Sequence, residues 1–177
     1  MLSLKEATAQ KHKIAERMPF NVRMFLGVLT KQEYLLYLKQ QLLIFQTLEK
    51  TDLPHADLNR CNNLLVDINE LEAQGYKSDL VLSSTTEYVD YLQSLSYPNK
   101  LPHIYLNYLA LLFGGQIIKK RVPSTGKLYD FNNGNDALEA VRKVQKDEWA
   151  DEVNKGFDFT IRILEELETA CQLKEKK

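Results

Sequence analysis

Apolar residues recur at helical spacing along most of the chain. In Lys31–Lys50 one side of the predicted helix carries Tyr34, Leu35, Leu38, Leu42 and Phe45. Similar patterns predict helices from the N-terminus to about Met18 and over Leu58–Ala73, Thr85–Leu95, Leu101–Arg121, Asp136–Gln145 and Glu148–Leu173. Strand patterns are weak, and Val122–Asn135, rich in Ser, Thr, Gly and Asn, is expected to hold a short hairpin or an ordered loop. The chain 1–177 is therefore predicted to be one all-α domain of about seven or eight helices.

Short local motifs mark where these helices begin and end. Ser3-x-x-Glu6, Thr30-x-x-Glu33 and Ser84-x-x-Glu87 each precede an apolar pattern and match the capping box that closes a helix N-terminus. Pro19 and Pro98 are expected to end the helices that precede them, because the residue before a proline avoids helical backbone angles.

Composition narrows the class of protein. The 23 Lys and Arg against 24 Asp and Glu give a net charge of −1, which argues against a nucleic-acid partner. Cys61 and Cys171 form neither a disulfide framework nor a metal motif, so a reducing compartment is expected. The longest purely apolar run, Tyr108–Phe113, falls far short of the roughly 20 residues of a spanning helix. The N-terminus lacks a signal-peptide core, and 174–177 is expected to be a flexible polar tail. The prediction is a cytoplasmic protein without a membrane partner.

Lys5 and His12 lie seven residues apart in the first predicted helix. Two helical turns place them on one stripe about 10 Å apart along the axis. A histidine there can ligate a metal while the lysine holds an anion, but the spacing alone favours a surface histidine beside a surface lysine.

Gly114 and Gly115 interrupt an otherwise strong helix. Each glycine costs a helix about 1 kcal/mol relative to alanine, so something should offset the loss. A flat ligand against the backbone, or close packing of another helix, would do so.

Three segments resemble the heme oxygenase family. Leu4–Thr8 followed by His12 is similar to the family's proximal helix, and His103–Lys120, with its Gly-Gly-Gln, is similar to the distal helix. Gly156–Leu167 resembles the closing helix. The segments occur in family order and span most of the chain. The resemblance implies a single helical bundle that holds heme b between its proximal and distal helices.

The resemblance also implies roles for individual residues. His12 matches the ligand of the heme iron, and Gly114 and Gly115 match the glycines that let the distal helix lie against the porphyrin. Leu111 falls in the same pocket. The other matches are to residues that hold the propionates or line the pocket: Lys5, Tyr105, Arg142 and Phe157.

The distal helix departs from the family pattern. Ala110-Leu111 stands where the family has Gly-Asp, Asn107 replaces an arginine, and Phe45 corresponds to a tyrosine. The aspartate organises water near the iron, which a leucine cannot do. Either the pocket only binds heme, or the water network is rebuilt from other groups. The expected catalytic groups are then the Asn107 amide, which can donate, and the backbone at Gly114 and Gly115, with Gln46 and Thr160 as further candidates.

The implied reaction is oxidative cleavage of heme to biliverdin, expected to be the IXα isomer, with release of Fe(II) and CO. The implied partners are O2, an external electron donor such as ferredoxin, and a downstream bilin reductase. An acidic donor would dock on a basic patch formed by Lys11, Lys13, Arg17, Lys119, Lys120 and Arg121. Two alternatives remain: a non-catalytic heme carrier, and a heme-free enzyme of the wider fold, such as a thiamin-degrading one, that uses a catalytic cysteine.

Overall fold

The computed structural model describes residues 2–175, with side chains described to residue 172. These residues form nine α-helices: α1 (Leu4–Glu16), α2 (Pro19–Leu26), α3 (Lys31–Leu48), α4 (Cys61–Ala73), α5 (Ser83–Ser94), α6 (Tyr97–Leu112), α7 (Gly114–Ile118), α8 (Gly134–Val144) and α9 (Ala150–Glu175). Three single 3₁₀ turns cover Ala56–Leu58, Lys127–Tyr129 and Asp147–Trp149. No strand occurs in the described part of the chain, which confirms the all-α class. The predicted polar tail, 174–177, lies outside the described side chains.

Two of the three predicted capping boxes are present. The Ser3 and Thr30 side chains each accept a hydrogen bond from the backbone N–H three residues on, and the Glu6 and Glu33 carboxylates reciprocate. The capping box predicted at Ser84 is wrong. Helix α5 begins at Ser83, one residue before Ser84, and the Ser84 hydroxyl donates to the Glu166 carboxylate on α9. A tertiary partner therefore replaces the local one.

The prolines begin helices as well as ending them. Pro19 occupies the first turn of α2, a helix that the apolar pattern did not predict. Pro98 likewise lies in the first turn of α6. This helix begins at Tyr97, before the predicted start at Leu101. A proline at the start of a helix loses no hydrogen bond, because the first backbone N–H groups have no partner within the helix. The stretch 122–135 was predicted to hold a short hairpin or an ordered loop. It contains the 3₁₀ turn Lys127–Tyr129 and no hairpin.

The predicted Leu101–Arg121 helix is two helices. Phe113, with φ −105° and ψ −81°, breaks the backbone between α6 and α7. Gln116 bridges the break, because its side-chain Nε2 donates to the carbonyl oxygens of Leu111 and Tyr129. The break puts Gly114 and Gly115 at the start of α7, directly after Phe113.

The long helix α9 organises the bundle. It packs against α1, α2, α5 and α6, while α3 packs against α4 and α5. The main core is built around the buried side of α3, with Tyr34, Leu35 and Leu38 fully buried. α9 therefore sets the position of α1 relative to α6.

The stretch Tyr97–Ile118 is long and apolar enough to cross a membrane by length and composition, with a mean hydropathy of 1.2. The search for uninterrupted apolar residues did not find this stretch, because polar and charged residues interrupt it. In the fold the stretch is α6 and α7, and α6 packs against α8 and α9. A helix at the interior of a bundle meets the same criterion of composition.

Candidate functional site between α1 and the α6–α7 break

A second, smaller apolar cluster attaches α1 to the bundle. Leu4 and Ala15 of α1 join Leu106 of α6 and residues of the α9 region in this cluster. The members from the α9 region are Trp149, Val153 and Phe157. Polar contacts add to it, since the Leu4 N–H donates to Asp147 and Asn154 donates to the Ala7 carbonyl. The cluster holds one side of α1 against α9.

His12 lies beside this attached side of α1 and reaches solvent. Its side chain is 59 % exposed, and its Nε2 lies 3.5 Å from the Glu16 carboxylate, one turn further along. The Phe157 ring of α9 meets the imidazole edge-on, with 5.8 Å between ring centroids. The structure thus brings His12 and Phe157 together and leaves the imidazole accessible. Lys5 is exposed two turns earlier on the same helix.

The two adjacent glycines have different environments. A Cβ on Gly115 would lie 2.6 Å from Cδ1 of the buried Tyr129 ring, so Gly115 is required for close packing. A Cβ on Gly114 would meet nothing within 4 Å, so Gly114 faces open space. Both readings of the pair therefore apply, one to each residue: packing explains Gly115, and an approaching ligand remains the candidate explanation for Gly114.

Tyr105, Phe113 and Arg142 form a group at the other side of the site. Burial raises the pKa of the Tyr105 hydroxyl, and the positive charge of Arg142 on α8 opposes the shift. The Arg142 guanidinium lies 5.6 Å from the centre of the exposed Phe113 ring. Tyr105 meets Trp149 edge-on at 6.5 Å. The predicted propionate residues thus fall into two groups, with Lys5 on α1 and the other pair at α6 and α8.

Leu111 is 5 % exposed and belongs to the main core. The neighbouring Tyr108 is buried and packs edge-on against Phe45, with 5.0 Å between ring centroids. Two of the three positions that depart from the family pattern are therefore filled by apolar side chains inside the core.

Asn107 is bound inside the protein. Its Nδ2 donates to the Tyr88 hydroxyl at 3.0 Å and to the His103 carbonyl at 2.8 Å. An amide nitrogen carries two hydrogens, so none is left for a water on the distal side. The predicted donor role of Asn107 is therefore corrected: its amide positions Tyr88.

From Tyr88 the hydrogen bonds continue to α9. The Tyr88 hydroxyl lies 2.8 Å from Nδ1 of His103, whose Nε2 lies 2.8 Å from the Glu152 carboxylate. Tyr91 also donates to Glu152. With Glu152 ionised, Nε2 of a neutral His103 is the donor, and Nδ1 accepts from Tyr88. This series of hydrogen bonds connects α5, α6 and α9.

Burial and hydrogen bonding shift the pKa values of His103 and Glu152 in this series of hydrogen bonds. His103 is buried, and burial lowers its pKa even though the bond to Glu152 acts in the opposite direction. Burial raises the pKa of Glu152, but hydrogen bonds from Tyr91 and His103 outweigh burial and bring the pKa below its usual value. The fold therefore favours the neutral form of His103 and the ionised form of Glu152.

We expect acid to weaken the fold through these groups. Since the pKa of His103 is lower in the folded protein than its usual 6.5, its contribution is complete above that value and declines as the pH falls below it. Glu152 acts in the same direction at lower pH. Urea unfolding between about pH 8 and pH 5 should show this decline. The variant His103→Leu should lose the part of the decline that begins near pH 6.5 and should be less stable at pH 8 by about 2–4 kcal/mol. An identical pH dependence in the variant would contradict this assignment.

Few features of the sequence point to this hydrogen-bond network. His103 stands at the start of the segment that is similar to the distal helix, and its partners Tyr88 and Glu152 are remote from it in sequence. Gly156 was the available signal: a Cβ there would lie 2.6 Å from Leu106 and 3.1 Å from Nδ1 of His103. A glycine inside a long helix thus marks where α9 and α6 approach most closely.

The model of one protein family, described as heme oxygenase, matches residues 1–155. The chain belongs to the heme oxygenase family. The matched segment contains α1 to α8 and the break at Phe113, and it ends two residues before Phe157. The matched segment therefore includes His12, Gly114 and Arg142.

Relatives named heme oxygenase cover nearly the whole chain. One from Guillardia theta is 25 % identical over 202 residues, covering 94 % of this chain and 85 % of its own length. One from Porphyra purpurea is 27 % identical over 205 residues and covers 94 % and 86 % of the two chains.

Solved heme oxygenase structures share the fold. Heme oxygenase-1 from Synechocystis, crystallised with heme, superposes with a TM-score of 0.79 at 20 % identity and covers 97 % of this chain and 95 % of its own. The enzyme from Leptospira interrogans gives 0.77 at 23 % identity, with 92 % and 98 % covered. The predicted bundle architecture is therefore confirmed.

Proposed function

We propose that this protein binds heme b between α1 and the α6–α7 break and cleaves it to biliverdin, Fe(II) and CO. The observation that carries the reaction is the family match over residues 1–155, because heme cleavage is the general function of heme oxygenases. The position of the site rests on residues of this chain. We further propose that the chain folds as one unit, because α9, at the C-terminal end, packs against α1 and α2 at the N-terminal end and against α5 and α6 in the middle of the chain.

The residues present fit a heme group. The His12 imidazole is accessible and is steadied by Phe157, which suits a nitrogen ligand to iron. The open space beside Gly114 allows a flat macrocycle to approach the backbone of α7. Exposed Phe113 supplies an apolar wall beside that space. Heme, when bound, supplies the iron at which dioxygen is reduced and the macrocycle that is opened.

The cations around the site orient the macrocycle in this proposal. Lys5 on α1 and Arg142 on α8 would each pair with a propionate, and Tyr105 would donate a hydrogen bond beside Arg142. Two cations on different helices distinguish one rotation of heme from another. The IXα isomer is the product we propose for this orientation.

The distal side determines whether heme is turned over or only carried. Buried Leu111 offers no polar group, and the Asn107 amide hydrogens are already bonded. The Asn107 Oδ1 atom and the Gly114 backbone stay as polar groups that could order water there. We propose turnover on the strength of the family match, with the carrier as the second candidate.

The thiol-dependent alternative is disfavoured by both cysteines. Burial, together with the neighbouring Glu49, raises the pKa of Cys61 well above its usual range. Burial raises the pKa of Cys171 to about 11. Neither thiol forms a useful fraction of thiolate near neutral pH, and the thiolate is the nucleophile.

The reaction requires O2 and an external electron donor, and we propose a donor of the ferredoxin type. We also propose a cytoplasmic location and a bilin reductase that consumes the product. The basic patch predicted for donor docking is smaller than expected. Lys11 is paired with Asp158, and Lys119 is paired with Asp130. Lys13, Arg17, Lys120 and Arg121 remain exposed.

A hemin titration followed by reduction in air separates the candidate functions. We expect a Soret band at one heme per chain, then its loss with formation of biliverdin and CO when ferredoxin and its reductase are supplied. Biliverdin absorbance and CO capture by myoglobin are the measurements. A Soret band that survives without biliverdin would assign the protein as a carrier. Absence of a Soret band would exclude both heme functions.

A further inference from the structure

The helix α2 and the turn after it expose four apolar side chains. Their exposed fractions are 40 % for Val22, 45 % for Phe25, 61 % for Leu26 and 56 % for Val28. Val22, Phe25 and Leu26 have the spacing of neighbours on one helix face. The opposite face carries buried Phe20 and Met24. We call these four exposed side chains the α2 patch.

The turn at the end of α2 has a fixed geometry. Gly27 has φ +72°, its N–H donates to the Met24 carbonyl, and the Val28 N–H donates to the Arg23 carbonyl. This pattern is the Schellman motif, which ends a helix with a defined chain direction. The α2 patch is therefore presented on a defined backbone.

Cations surround the α2 patch. Arg121 lies 4.7 Å from the Phe25 ring centre and donates to the Phe25 carbonyl. Residues 17–32 and 113–129, the segments that meet at this contact, contain seven Lys and Arg and no Asp or Glu. Three of these cations are paired with carboxylates from outside the two segments: Arg23 with Glu33 and Glu168, and Lys119 and Lys127 with Asp130. Arg17 and Lys120 are exposed and form no ion pair within the described part of the chain. The α2 patch thus has the Arg121 guanidinium directly beside it, and Arg17 and Lys120 are further exposed cations of the same two segments.

We propose that the α2 patch docks on the surface of a bilayer that contains anionic lipid. Apolar side chains would enter the boundary between headgroups and acyl chains, while Arg17, Lys120 and Arg121 would meet lipid phosphates. A second copy of this chain fits poorly, because the two sets of cations would face each other. The expectation of no membrane partner rested on spanning segments, which interfacial docking does not need. The docked face would include α7, next to the proposed heme site.

Co-sedimentation with lipid vesicles tests the proposal and requires no heme. The probes are vesicles of phosphatidylcholine alone and vesicles in which about a third of the lipid is phosphatidylglycerol. The wild-type protein is expected to sediment with the anionic vesicles and to be released by salt. Leu26→Asp should lower the partition coefficient at least about tenfold. Leu80→Asp, at a leucine that is 44 % exposed and lies outside the α2 patch, is the matched control and should bind like the wild type.

Thermal unfolding followed by circular dichroism checks that each variant is folded, and Val28→Asp replaces Leu26→Asp if that variant is not. Equal binding by Leu26→Asp and the wild type, or no binding to anionic vesicles, would overturn the proposal. Retention on immobilised ferredoxin that depends on Leu26, without vesicle binding, would assign the face to a protein partner instead. Each of these results leaves the hemin titration unaffected, so failure of this proposal and failure of the proposed heme chemistry are distinguishable.

Discussion

Replacing His12 by alanine is expected to remove the nitrogen ligand of bound heme and reduce biliverdin formation by at least about a hundredfold. The imidazole is exposed, and among the side chains that the structure describes it pairs with one carboxylate, that of Glu16, so the fold should lose less than about 0.5 kcal/mol. The Soret position and the electron paramagnetic resonance spectrum of the hemin complex are the measurements. Both should change even if hemin still enters the pocket through its apolar contacts.

His55→Ala is the matched control, because His55 caps the Ala56–Leu58 turn away from α1. That variant should bind hemin with the wild-type spectrum. Added imidazole should restore the ligand signature in His12→Ala, since the removed side chain leaves space for it. A wild-type spectrum in His12→Ala without imidazole would contradict the assignment of His12.

Alanine at each of the two glycines should have opposite main effects. In Gly115→Ala the new methyl group meets Tyr129 at 2.6 Å, and we expect a loss of about 1–3 kcal/mol in the free energy of unfolding. In Gly114→Ala the methyl group meets nothing within 4 Å, and stability should change by less than about 1 kcal/mol. The methyl group at Gly114 would instead stand in the space proposed for heme. Urea unfolding of the heme-free proteins measures the first effect, and hemin titration measures the second.

Each variant serves as the control for the other. Gly114→Ala should keep the stability of the wild type and bind hemin at least about tenfold more weakly. If Gly114→Ala binds hemin like the wild type, the open space beside Gly114 is not the heme site. If Gly115→Ala is as stable as the wild type, the Tyr129 contact does not explain that glycine.

The sequence predicted most of the bundle and the motifs of the site because the determining signals are local. The apolar pattern of Lys31–Lys50 and the capping boxes at Ser3 and Thr30 each need only neighbouring residues, and all three are present. Helix α2 was missed because its eight residues are too few to show a clear period and because a proline opens it. The break at Phe113 was missed for a different reason: the bonds from Gln116 that bridge it reach to Tyr129 in another part of the fold.

The sequence by itself determined the family, the all-α class and the helix on which most candidate residues lie; Gly114 and Gly115 are the exception, because the break at Phe113 places them on a separate helix. Those features follow from residue identity and from contacts a few positions apart. Only the tertiary structure decided that Gly115 serves packing while Gly114 faces open space, and that the Asn107 amide is bound to Tyr88. It also decided that the apolar side chains of α2 face solvent among cations. The reason is physical: whether a side chain is free or engaged depends on which remote helix packs against it, and here α9 and the Lys127–Tyr129 turn set those contacts.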